Sequence, residues 1–322
     1  MTIPMRTSLR GGAVLLLAAT LAAQKMPLPD GPGRQLQLFD LTVLRPKEAP
    51  AFAAPQLLAG KRREPSEPTD FETIARMLEH FVDPPLGPGD ACQLLGDRWL
   101  AVIGSPAQVA SIERLFHLAV RHREHPIEVT VQLLLVDDTK FTGNVKQHLV
   151  EVVRDEQVSF EVVLDEKQAK ELTTRLDLLA PQRIDAPTLS VLPLQRGHLS
   201  VIDQTAYVRD FNLTRKGDAL IADPIVDVVW DGNITDVCAT LLPDGMIGVT
   251  CDVAFQEVQK PIRTFETTIG KDLPVTLQLP RVTGTRLRQT AVLGEGSLVV
   301  LATQKASGDW IVALVRAKTA PR

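Results

Sequence analysis

From residue 186 onward the chain is a succession of short apolar segments separated by glycine-bearing turns. The segments cover 188–194, 199–202, 225–230, 235–242, 246–255, 275–279, 285–293, 297–302 and 310–316. The turns carry Arg196-Gly197, Asp231-Gly232, Asp244-Gly245, Gly294-Glu295-Gly296 and Ser307-Gly308-Asp309. Segments this short bury an apolar face only by pairing with neighbours, so the pattern predicts a meandering, mostly antiparallel sheet. Upstream, 127–136 alternates apolar and polar from Ile127, which predicts a strand. Residues 145–153 and 158–164 read as further strands, and Asp165 caps a helix through Ala169, Leu172, Leu176 and Leu179.

The first third has a different texture. A strand is expected at 35–44, then a surface loop at 45–69 rich in proline and charge. Thr69 or Asp70 caps a helix with Phe71, Ile74, Ala75, Leu78 and Phe81 at helical spacing, ended by Pro84-Pro85. Segments 92–95 and 99–103 form a hairpin about Gly96-Asp97. Ser105 caps a second helix with Pro106 at its first position and an apolar stripe of Val109, Ile112, Leu115, Phe116 and Ala119. The fold class is therefore α+β: a small α+β domain at 36–123, then a mostly antiparallel β domain at 126–318.

Ahead of both, Arg6 and Arg10 precede an apolar run at 13–23 that ends in small residues, the three regions of a secretory signal peptide at 1–23. Cleavage fits after Ala22 or Ala23, leaving a flexible leader at 24–35 around Pro27, Pro29 and Pro32. No later stretch is apolar for long enough to span a membrane as a helix. The expected protein is exported, soluble or in peripheral contact with the outer membrane. A net charge of -4 gives no electrostatic case for nucleic acid. Three Trp and one Tyr cannot build the aromatic girdles of a many-stranded outer-membrane barrel.

Three cysteines exclude a disulfide scaffold, but two of them are placed to meet. A hairpin closed on Asp244-Gly245 pairs Pro243 with Met246, and so Cys238 with Cys251. In an oxidising compartment such a pair forms either a cross-strand disulfide or two facing, buried thiols, depending on the pair type. Cys92 is left as a small hydrophobe. His117, His122 and His125 lack the i, i+4 spacing of a metal site and sit among arginines, as suits a solvated helix C-terminus. Asp137-Asp138 and the set Asp227, Asp231, Asp236 lack calcium-loop spacing and read as turn formers. No nucleophile elbow or phosphate loop is present, so no catalytic residue, metal ligand or cofactor is assigned.

Three stretches resemble the secretin family, the outer-membrane ring proteins of type II and type III secretion and type IV pili. The first runs from Trp99 through Gly104-Ser105-Pro106 and Leu115 into the strand at 127–136. The second is Ala186-Pro187 and the segment after it, with Arg196-Gly197 at a turn and Ala206-Tyr207-Val208 beyond. The third joins Asp231-Gly232, Pro243-Asp244-Gly245 and 283–290 to Gly294-Glu295-Gly296. The sequence departs from the family at Ala302-Thr303-Gln304, where a double glycine is usual, and the membrane-spanning lip is either absent or reduced to a remnant at 209–222. The resemblance implies a divergent, truncated secretin-like protein. Its function is expected to be structural and non-enzymatic, in protein secretion at the periplasm or outer membrane. Its partners are expected to be copies of itself or other envelope and secretion proteins. The alternative is a soluble monomeric periplasmic binding or scaffold module on the same fold.

Overall fold

The computed structural model describes residues 33–44, 71–96, 98–154, 157–216, 219–269 and 273–320. The signal peptide, most of the leader, the loop at 45–69 and the cap at Thr69 or Asp70 lie outside the described residues. The architecture is α+β and mostly antiparallel, as expected.

The N-terminal unit is a three-stranded sheet in the order β1-β3-β2, built from β1 (Gln35–Asp40), β2 (Ala91–Leu95) and β3 (Trp99–Gly104). One face carries α1 (Phe71–Phe81) and α2 (Pro106–Arg121). Leu100 and Val102 of the central strand, Ile74, Met77 and Leu78 of α1, and Ile112, Leu115 and Phe116 of α2 are all buried there. The start of α2 is fixed as its sequence implies. Gln108 N donates to Ser105 Oγ at 3.3 Å, and Ser105 N donates back to Gln108 Oε1 at 2.7 Å, a reciprocal capping box behind Pro106.

The remainder is two sheets packed face to face with helices outside one of them. The seven-stranded sheet runs β5 (Val150–Arg154), β6 (Gln157–Leu164), β15 (Leu298–Gln304), β16 (Trp310–Thr319), β4 (Ile127–Val136) and β7 (Gln182–Asp185), with β8 (Thr188–Val191) also on β4. The four-stranded sheet is β14 (Val282–Leu293), β11 (Ile247–Val258), β10 (Ala219–Leu241) and β9 (Arg196–Lys216). Between them lies one apolar layer. Ile127, Val129, Val131 and Leu133 of β4 and Ile311, Ala313 and Val315 of β16 face Val237, Ala239, Val249, Cys251, Val253 and Leu287. The opposite face of the larger sheet is covered by α3 (Asp138–Asn144) and α4 (Glu166–Leu179). There Phe141 stacks on Trp310 at 4.1 Å, and Trp310 Nε1 donates to Asp138 Oδ1 at 2.7 Å.

The N-terminal core continues onto the outer face of the four-stranded sheet, where Leu194, Cys238 and Leu242 join it. At Gly248 a Cβ would fall 2.5 Å from the Phe81 ring, so α1 seats an aromatic on a position that has no side chain.

Several expectations are corrected. Arg196-Gly197 is not a turn but the start of β9, and Asp231-Gly232 lies inside β10; the expected segments 199–202, 225–230 and 235–242 belong to two strands of 21 and 23 residues. Gly232 is required for another reason: at φ +135° its Cβ would lie 2.1 Å from the Val201 carbonyl oxygen. Residues 138–144 form α3, capped by Asp137, whose carboxylate accepts from Thr139 N and Lys140 N; the strand expected from 145 starts at Val150. Two short strands, β7 and β12 (Arg263–Ile269), were not expected at all.

The cysteine pairing is corrected too. The turn after β10 has three residues, Pro243, Asp244 and Gly245, with Asp244 and Gly245 both left-handed (φ 66° and 75°). It closes with Leu242 N donating to Met246 O at 2.8 Å. An odd loop slips the register by one, so Cys238 pairs with Thr250 and Cys251 with Val237. The two side chains then point to opposite faces, Cys238 to the N-terminal core and Cys251 into the sandwich, and no disulfide joins them. Burial pushes both Cys251 and Cys92 up, Cys92 to about 12.

Two measurements check these points. Thiol titration of the fully unfolded protein without reductant should give three thiols per chain; a single thiol would mean a disulfide. Gly232→Ala should lower urea-unfolding stability by about 2 kcal/mol. Gly143→Ala, at a helical position with no neighbour within 4 Å, should hold or raise it.

Candidate assembly surface and its charged row

β11 pairs with β10 only over 232–241, so residues 219–231 and their partners in β9 continue past the sandwich as a two-stranded ribbon. A second hairpin, β12 with β13 (Leu273–Leu279), leaves between β11 and β14 at that same end. It alternates, though not strictly: Phe265, Ile269, Leu273, Val275, Leu277 and Leu279 share one face with Arg263 and Thr267, while Thr264, Glu266, Thr268, Thr276 and Gln278 share the other with Pro274. β13 lies against β9, where Val208 N donates to Gln278 Oε1 at 2.8 Å.

The ribbon is also sided. Ile202, Ala206, Val208, Val226, Val228 and Trp230 occupy one face. A bulge between Ile225 and Val226 then shifts the register, marked by an ion pair of Arg209 with Asp227 at 3.0 Å. Beyond it Phe211, Leu213, Ala222 and Pro224 share a face. Leu213, Phe265 and Leu279 are 52%, 53% and 53% exposed, so the projecting hairpins hold apolar surface that nothing among the described residues covers. The stretch 209–222, expected as a reduced lip, lies in this ribbon up to its tip.

Where the four-stranded sheet meets α1, its outer face carries a charged row. His198, Asp236, Asp252 and Arg288 stand side by side on four consecutive strands, β9, β10, β11 and β14. Two like charges directly opposite each other destabilise a sheet unless cations neutralise them. Asp236 is held by Arg196 and by His198 Nδ1 at 2.6 Å. Asp252 takes Arg286 through Nε at 2.7 Å and Nη2 at 2.5 Å, with Arg288 Nε at 3.6 Å. Burial works to raise the Asp236 carboxyl, but the hydrogen bonds from His198 and Arg196 outweigh it and hold the group below its ordinary 3.8. Thr73 and Arg76 of α1 line a small, open cleft together with Asp236, Asp252 and Thr250.

An Asp–His pair beside a cysteine invites a catalytic reading, and the geometry opposes it. A base needs its second ring nitrogen on the nucleophile. His198 Nε2 is buried and has no hydrogen-bond partner, so it is not bonded to the Cys238 sulfur. The row is a polar seat for α1. Its signal in the sequence is the i, i+2 spacing of Arg196 and His198, and of Arg286 and Arg288, which becomes legible only once the register aligns them with Asp236 and Asp252.

No group of three or more metal-ligating side chains occurs among the described residues. His122 and His125 sit edge to face after α2, and His117 is 3.6 Å from Glu113. Of the expected turn-forming aspartates, Asp227 and Asp231 are in β10, where Asp231 meets Lys260 at 3.3 Å.

No protein-family model and no curated protein matches the sequence. Among solved structures, the chain is similar to the InvG secretin domain β-barrel of the Salmonella SPI-1 injectisome, at TM-score 0.31 and 12% identity over 90% of this chain and 88% of that one. It is also similar to the V. cholerae type IV competence pilus secretin PilQ, at TM-score 0.29 and 11% identity over 96% and 83%. Likenesses at this level carry no functional argument.

Asp236→Asn should cost about 2 kcal/mol at pH 7, because it leaves Arg196 and His198 without their shared carboxylate. The folded Asp236 carboxyl titrates below its unfolded value of 3.8, so its contribution is present above that value and is lost as pH falls through the lower, folded one. Urea midpoints of wild type and variant should therefore differ at neutral pH and converge only as pH falls through the folded carboxyl's value, below 3.8.

Proposed function

We propose that the mature chain is a non-enzymatic, exported component of the cell envelope that assembles with copies of itself through sheet edges, as secretins do, and serves protein secretion. The observation that carries this reading is the four-stranded sheet. Its end strands, β14 and β9, each pair on one side only within the sheet. All its neighbours are antiparallel and their number is even, so β9 runs opposite to β14. A second copy placed head to tail thus extends the ladder antiparallel, and a closed ring removes the edges.

The projecting hairpins fit the same reading. The ribbon beyond β11 extends roughly 40 Å at strand rise, more than the hydrocarbon core of a bilayer. Its alternating faces give it one side for lipid or for neighbouring copies. Among the described residues no helix is long and apolar enough to cross a membrane.

The mass of residues 24–322 in solution, measured by light scattering with and without detergent, tests the reading. A ring-sized assembly of about a dozen copies is expected. A monomer in both conditions overturns it and leaves the soluble scaffold module.

A further inference from the structure

The apolar layer between the two sheets is open at both lateral ends, and the openings are of opposite kind. β14 lies over β6 and β16, β10 over β4, and β9 beside β8. On the β14 side the seven-stranded sheet runs on beyond its partner as β6 and β5. Val150 and Val163, on the face that continues the sandwich core, are 63% and 44% exposed; Val150 stands opposite the half-buried Glu161, and the half-buried Val152 stands one level further along β5, opposite Ser159. On the β9 side the four-stranded sheet ends with Val201, which points inward on the same face as Val237 and is 49% exposed. One end offers floor without a roof, three valines with Glu161 and Ser159 among them, and the other offers roof without floor.

The levels along the strands also correspond. Val201 stands in one cross-strand row with Asn233, Phe255 and Thr285. Thr285 Oγ1 donates to Thr303 Oγ1 at 3.5 Å across the layer, which ties that row to the row of Thr303, Ser159 and Val152 in the other sheet. A neighbour whose β9 continues the ladder at β14 with Val201 opposite Thr285 brings that Val201 level with Val152, one row from Val150.

Resting on the head-to-tail assembly of the preceding section, we infer that the occupant of the valine overhang on β5 and β6 is the β9–β10 hairpin of a second copy of this chain, so that the hydrophobic layer runs on from copy to copy. Val150, Val152 and Val163 of one copy are the floor and Val201 of the next is the roof. Three valines do not reach the roughly 1,000 Å² of a stable interface, and the edge ladder between β14 and β9 supplies the rest.

Cysteine pairing in the full mature chain tests this, since the native thiols are buried or half-buried and Cys92 and Cys251 are pushed far from ionisation. Val152→Cys with Val201→Cys in one chain should give, under a mild oxidant and in detergent, a ladder of covalent multimers on non-reducing gels. Wild type and either single variant should give none, and a mixture of the two single variants should stop at dimers. The mass by light scattering is read on the same samples. Assembly without the ladder, for Val152→Cys and for Val150→Cys alike, overturns the overhang contact and leaves the ring reading standing. A monomer takes both down.

Discussion

Burial of β4 on both faces is the constraint on which the molecule depends. Val129, Val131 and Leu133 face the four-stranded sheet, while Leu134 and Val136 face α3 and α4. A strand with apolar neighbours above and below is fixed in register, because a slip of one residue would present Glu128 or Gln132 to the sandwich. β16 then pairs along the full length of β4, from Trp310 opposite Val136 to Thr319 opposite Ile127. β15 and β6 follow outward. The four-stranded sheet, by contrast, buries one face in the sandwich and shares the other with α1 and α2. Such a sheet has polar freedom on its outer face, and the charged row occupies it.

Much of this was legible in the residues. The alternation of 127–136, the caps Ser105 and Asp165, and the hairpin about Gly96 are local signals, and the structure has each where the residues place it. The failures share one physical cause. Glycine and aspartate punctuate turns, but they also serve where two backbones come close. Gly197 sits where a Cβ would meet Val191 at 2.4 Å, and Gly232 where it would meet a carbonyl. Sequence alone does not distinguish these uses, so two long strands were divided into several short ones, and with them the projecting ribbon was lost from view.

The pairing of Cys238 with Cys251 failed for a different reason. Hairpin register depends on whether the loop has an even or odd number of residues, and Asp244 adopting a left-handed conformation beside Gly245 makes it odd. One residue of slip separates the two thiols by the thickness of the sheet. The charged row needed that register as well: Asp236 opposite Asp252 is a consequence of the three-residue loop, and so is the need for arginines on both flanks.

The seat of Phe81 on Gly248 joins two cores through a missing side chain. A contact defined by an empty position has little tolerance in size, since any larger residue at 248 pushes against a ring that belongs to α1. Yet it makes no demand on polarity or direction, because a ring lying on bare backbone can turn. The distance between the N-terminal unit and the four-stranded sheet therefore answers to the size of one residue, at position 248.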